Sequence, residues 1–149
     1  MTSELKILTK IKELIIREYS NYKEADDDTV LNDKNVVIDL CDPDKMTDDV
    51  GVWIDTRGVD VNDYTMEEDN LSMSVRLSII CKRDESTKLR NKVFNIKSAI
   101  YRILRNNQSL DNTVDLITID NYTYYPQLLL EIGIVGMDID VTVDYVENW

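Results

Sequence analysis

The sequence predicts an α+β domain: a mostly antiparallel or mixed β-sheet with two amphipathic helices packed on it. Three observations lead there. Two stretches carry apolar residues at three-and-four spacing, and several others alternate apolar with polar residues, as strands with one buried face do. The composition, 43% hydrophobic and 31% charged over 149 residues, is that of a globular chain. That length suffices to bury a core without metals or disulfides. No repeat or low-complexity tract divides it, so residues 1–149 are expected to form one domain.

The first element is a helix over 3–22, where Leu5, Leu8, Ile11, Ile15, Tyr19 and Tyr22 share a face and Thr2 or Ser3 serves as N-cap. KEADDDTVLNDKN has no period and reads as a loop. VVIDL predicts a strand over 36–40, and Asp42-Pro43 a turn after it. A second strand, 50–57, is expected to stop at Gly58, leaving VDVNDYTMEEDN as an acidic connection or hairpin arm. The clearest strand is 71–82, with Leu71, Met73, Val75, Leu77, Ile79 and Cys81 on one face and Ile80 the exception on the other. The period then changes from two to 3.6. A helix over 86–105, capped by Asp84 or Ser86, aligns Leu89, Val93, Ile96, Ile100, Ile103 and Leu104. Strands over 114–124 and 137–146 complete the fold. Between them the apolar parity of Leu128, Leu130, Ile132 and Ile134 is out of step with the series from Met137, which predicts a loop or bulge flanked by Gly133 and Gly136.

Much familiar chemistry is missing. The chain has no histidine, the commonest general base and metal ligand. Its four glycines make no phosphate-binding fingerprint. Cys41 and Cys81 stand apart from one another, and Cys81 alternates with a strand's apolar face, as a buried core thiol does. The acidic run DPDKMTDD lacks the central glycine and terminal glutamate of a calcium loop. These absences argue against an enzyme and imply no cofactor and no metal. No apolar run approaches the roughly 20 residues of a membrane span, and the opening MTSELKILTKIKEL is charged and helical in period rather than a signal peptide. Synthesis and folding in a cytoplasm, without membrane attachment, are expected.

Charge supplies the positive signal. The net charge is -12, from 29 acids and 17 bases, which opposes phosphate-backbone binding by the chain as a whole. Yet no acid occurs from Ser86 to Leu110, where Lys88, Arg90, Lys92, Lys97, Arg102 and Arg105 supply six bases. Taking that +6 from the -12 leaves -18 on the rest. On the second helix Phe94 and Tyr101 lie off the apolar stripe with Arg90, Lys97 and Arg105 around them. This side reads as a solvated face, a protein interface rich in aromatics and arginine, or a platform for single-stranded nucleic acid. The last strand offers the opposite sign. GMDIDVTVDY sets Asp138, Asp140 and Asp144 on one face, although aspartate is a poor strand residue and like charges on one face repel. Unlike patches on one subunit suit a heterologous contact, the kind that builds rings. Alternatively those aspartates line the lumen of such a ring, or simply keep an open sheet face soluble.

The layout resembles the tail terminator, or tail-completion, proteins of long-tailed bacteriophages. The matching features are the opening helix SELKILTKIKELI, the alternating strand LSMSVRLSIICK, the helix ESTKLRNKVFNIKSAIYRILRN that follows a short charged turn, and the closing strand MDIDVTVDY. The resemblance rests on element order, length and pattern across nearly the whole chain. It implies a structural virion protein of the tail or neck, assembled in the host cytoplasm. Such a subunit forms a ring, usually of six copies, on the finished tail tube, stops its polymerisation and presents a joint to head-completion or neck proteins. DNA then passes through the lumen without specific binding. The acidic segment 42–69 departs from some relatives. Three other readings remain: another phage neck or tail-joining protein, an acidic adaptor or nucleic-acid mimic that binds a basic partner, and a small enzyme that uses carboxylates alone.

Overall fold

The computed structural model describes residues 1–127 and 133–149. The fold is α+β, with helices α1 (Ser3–Tyr22) and α2 (Ser86–Asn106) and strands β1 (Val36–Ile38), β2 (Val50–Tyr64), β3 (Glu68–Lys82), β4 (Leu116–Tyr125) and β5 (Ile134–Asn148). The five strands make one sheet in the order β1-β2-β3-β5-β4. Among the described strands only β1 and β2 run parallel; every other neighbouring pair is antiparallel.

One core joins both helices to the sheet. Odd-numbered residues of β3 and β5, such as Met73, Leu77, Ile139 and Val143, are fully buried against Ile11, Ile15, Ile96 and Ile100. α1 packs on α2, β1 and β2, whereas α2 covers β3, β5 and β4. Thr2 caps α1, its hydroxyl accepting from the Leu5 amide at 3.3 Å. The buried stripe of α1 is broader than its spacing predicts: Ile7 and Leu14 are buried, and Leu5 is 43% exposed. A helix wedged between a sheet and a second helix buries two adjoining flanks, which rotates the buried face away from Leu5. In α2 the expected residues are buried, joined by Ala99. Its N-cap is Glu85, without a side-chain cap bond, rather than Asp84 or Ser86. A turn through Arg83, at a positive φ of 66°, sets that start.

Strand limits depart from expectation mainly where an edge is open. β1 stops at Ile38, short of 40, and Leu40 is exposed. Pro43–Lys45 forms a single 3-10 turn whose N-cap, Asp42, accepts from the Asp44 amide at 3.1 Å. β2 does not end at Gly58. The register shifts between Thr56 and Gly58, the glycine takes a φ of 137°, and pairing with β3 resumes to Tyr64. Gly58 thus absorbs a bulge, for which a residue without Cβ is suited. Of the two readings of this segment, an acidic connection or a hairpin arm, the second holds: it is the outer half of a long hairpin. Its turn is closed by the Thr65 amide donating to the Glu68 carbonyl at 2.8 Å, while the Thr65 hydroxyl accepts from the amides of Glu67 and Glu68. β4 begins at Leu116 rather than 114 and carries a bulge between Ile119 and Asn121. β5 starts at Ile134 and pairs with β3 without a register shift through Gly136 to Asn148. The predicted parity break at Leu128, Leu130 and Ile132 lies outside the described residues.

Candidate assembly surfaces

The first surface lies along the outer flank of α2, where it overhangs the edge strand β4. The helix phase turns Phe94 away from the core, leaving it 37% exposed. Its ring packs on Tyr124 of β4, with centroids 5.1 Å apart and planes inclined at 46°. Lys97 Nζ stands 4.2 Å over the Tyr122 ring and 6.0 Å from the centroids of Phe94 and Tyr101, within the range of cation–π attraction. Arg105 and Tyr101 continue this surface along a groove of about 470 Å³ that also takes in Lys97 and Tyr122. Arg90 is exposed one turn before Phe94. Of the five residues singled out in sequence, Phe94, Lys97 and Tyr101 are thus drawn together, Arg105 borders the same groove, and Arg90 stands at its end. Among the described residues, Arg90, Lys97 and Arg105 make no ion pair, whereas Arg102 reaches Glu24 at 3.8 Å.

Tyr122 and Tyr124 were not anticipated. In β4 the buried Ile117 and half-buried Ile119 are odd-numbered, while the two tyrosines are even-numbered. The bulge at Asp120 inserts one residue, so all four side chains reach the helix side. The NYTYY alternation was visible, but only the bulge assigns it to that face.

The second surface is the sheet face turned away from the helices. Asp138, Asp140 and Asp144 do share it, and their mutual repulsion is answered from β3. Arg76 donates to Asp140 through Nε at 2.8 Å and Nη2 at 3.2 Å, and its Nη1 lies 3.7 Å from Asp138. The Ser78 hydroxyl donates to Asp138 at 2.7 Å, and the Ser72 hydroxyl donates to Asp144. The register makes each pairing direct, since Ser72, Arg76 and Ser78 stand opposite Asp144, Asp140 and Asp138. The fork from Asp140 is the main reason the Arg76 guanidinium is held above its ordinary pKa. The row therefore carries one bound cation among three carboxylates, and is less anionic than the sequence suggests.

A groove of about 530 Å³ opens on this face beside Trp53, Tyr125, Ile80 and Arg76, walled by Asp39–Pro43. Trp53 folds back over Gly51, where a Cβ would stand 2.5 Å from the indole ring. That close approach explains both the glycine and the burial of Ile80 on the otherwise polar face. Cys41, half-buried at the groove's rim, has its thiol pushed up to about 11, and burial pushes Cys81 up to about 12. Both thiols stay protonated near neutral pH, a poor state for a nucleophile.

The third surface is the arm formed by the outer halves of β2 and β3. Residues 56–68 are all exposed. From Arg57 to Asp69 the arm holds five acids against one base, and its tip presents Tyr64 at 74% and Met66 at 97% exposure. Val59 and Val61 are also exposed, on the face shared with their register partners Met73 and Leu71. The Trp149 amide donates to the Glu67 carbonyl at 2.7 Å, tying the end of β5 to the tip.

No known protein family matches this sequence, and no curated protein does. Among solved structures the chain is similar to the sheath/tube terminator of the PVC extracellular contractile injection system, seen by cryo-EM in its extended state, at 11% identity and a TM-score of 0.45. The match covers 95% of this chain and 57% of that one, so the chain spans little more than half the length of its neighbour.

Proposed function

We propose that this chain is a non-catalytic structural subunit of a long-tailed phage, a tail terminator. Its copies join head to tail into a ring, with six the number that the sequence resemblance implies. The ring caps the tail tube, ends its polymerisation and receives the head-completion or neck protein. The observation that carries the reading is the flank of α2: exposed aromatics and unpaired cations lie directly beside the free edge of β4, which pairs only with β5 among the described strands. Exposed aromatics with arginine mark protein interfaces, and an unpaired strand edge is a template for another chain. A protomer whose remaining surface is acidic offers such a flank a partner of its own kind. Six copies of a chain at -12 would also surround the bore with negative potential, which lets a polyanion pass without sticking.

The test is capping. Tail tubes grown from tube protein should stop lengthening when the purified chain is added, and negative-stain images should show a ring at one end. Arg90→Glu with Arg105→Glu should abolish capping while leaving the melting curve intact, because both side chains are solvent-exposed. Tubes that keep growing with bare ends in the presence of the wild-type chain would overturn the reading. A ring that forms on a head or neck particle instead would favour the other joining role.

A further inference from the structure

The arm ends in a knob and the α2 flank holds a groove, and their chemistries are opposite. At the turn between β2 and β3, Tyr64 and Met66 stand exposed, with the exposed Trp149 tied beside them through Glu67. Glu67 and Glu68 place two carboxylates in the same turn, and residues 58–74 contain no base. The groove of about 470 Å³ between α2 and β4 is the reverse: Lys97, Arg102 and Arg105 line it with Tyr101 and Tyr122, and no acid among the described residues does. We propose that the arm tip of one copy, residues 64–68, seats in this groove on the next copy. The inference rests on the ring reading above and names its contact.

Charge chooses between the two grooves that could receive the tip. The one on the open sheet face is bigger, but Asp39, Asp55 and Asp138 wall it against Arg57 and Arg76, and Arg76 is already held by Asp140. That wall repels an anionic tip. In the α2 groove Lys97 and Arg105 make no ion pair among the described residues, and Arg102 has only its 3.8 Å approach to Glu24. These cations can meet Glu67 and Glu68, while Tyr101 and Tyr122 offer aromatic surface to Tyr64 and to the Met66 thioether. Tyrosine and arginine around an apolar anchor are what the centres of protein interfaces favour.

The arm is built to present such a knob. Residues 65–67 lie in the turn, beyond the pair Tyr64 and Asp69, and so belong to the end of the sheet rather than to either face. β3 stays paired with β5 as far as Glu68 and Asn148, and the Thr65 hydroxyl holds the turn. Three strands therefore present the tip, and little freedom is lost when it docks. The exposure of Tyr64 and Met66 shows that the tip does not fill the groove of its own chain, so a second copy must supply the groove. β5 stands between the arm's β3 and the groove's β4, which leaves knob and groove on different sides of the sheet, as a head-to-tail contact requires. Two tips would oppose anion to anion and two grooves cation to cation; only the unlike contact is attractive.

A charge-swap series tests the contact by sedimentation velocity, from micromolar to millimolar protein. Glu67→Lys with Glu68→Lys, and separately Arg102→Glu with Arg105→Glu, should each weaken self-association about tenfold or more. All four positions are exposed, and circular dichroism should confirm that each variant folds. The tip variant brings the net charge of -12 four units closer to zero, so general repulsion alone would tighten its association. A chain carrying all four substitutions keeps the original net charge and should recover association, because reversed tip then meets reversed groove. A photoreactive benzoylphenylalanine in place of Met66 leaves every charge intact and should cross-link a second copy within residues 97–106 or 116–125, mapped by mass spectrometry. A wild-type chain that stays monomeric to millimolar concentration, a tip variant that associates like wild type, or a cross-link that maps to residues 39–57 would overturn the inference. A four-substitution chain that folds without recovering would do the same, as would a cross-link that goes only to tube protein. Tube capping by the tip variant with unchanged efficiency would sink this contact and leave the terminator reading standing. The full charge-swap pattern without any tube capping would do the reverse.

Discussion

Arg76 is the residue on which the open face of the sheet depends. It grips Asp140 with two nitrogens and leans toward Asp138, and its side chain is only 31% exposed. Arg76→Ala would leave Asp138 and Asp140 two residues apart on one strand face, with the Ser78 hydroxyl still donating to Asp138 but the two bonds to Asp140 lost. Loss of a charge-assisted fork costs roughly 1–3 kcal/mol, and a lower urea midpoint with unchanged slope should report it. Arg76→Lys should recover only part, since an ammonium cannot reproduce the two-pronged geometry. A midpoint unchanged in Arg76→Ala would mean that the fork to Asp140 adds nothing to stability. The aspartate row and its repulsion were legible in the sequence. Its relief was not, because Ser72, Arg76 and Ser78 lie some sixty to seventy residues away and meet it only through strand register.

At the scale of elements, α2 was the most readable part of the chain. Its apolar stripe has the helical period, and its six bases stand without a single acid between Ser86 and Leu110. Ile100 is fully buried between helix and sheet. Ile100→Asp would bury a charge without a partner, a penalty of several kcal/mol, and should remove the cooperative thermal transition. A retained cooperative melt would show that the helix phase assigned here is wrong. Periodicity failed wherever a bulge broke it. Gly58 looks like a strand end and is a bulge inside a longer strand, and Asp120 shifts the parity that would have placed Tyr122 and Tyr124 beside Phe94. A bulge is an extra residue relative to a partner strand, so one strand read alone does not reveal it.

For the whole molecule, electrostatics act at two ranges. Copies at -12 repel over the Debye length, which is near 30 Å at 10 mM salt and about 8 Å at 150 mM. In the proposed assembly, attraction between the basic α2 flank and an acidic surface of a neighbouring copy would be made at contact distance and screened later. Self-association should therefore strengthen as salt rises from about 10 mM to about 150 mM and weaken toward about 1 M. A steady weakening across that range, followed by light scattering, would mean that net repulsion does not govern encounter. The charge imbalance behind this expectation was legible in composition alone. The placement of the two signs on opposite sheet edges was not, since it depends on the strand order. That order also bears on synthesis. A ribosome releases β3 and β4 before β5, yet β5 is the strand that must slip between them. Until it emerges, β4 has no lateral neighbour among the described strands and α2 rests on α1 and β3 without β5, so a partly translated polypeptide has no finished β4 edge to offer. In the proposed assembly, joining through that edge would thereby wait until the centre of the sheet has been threaded.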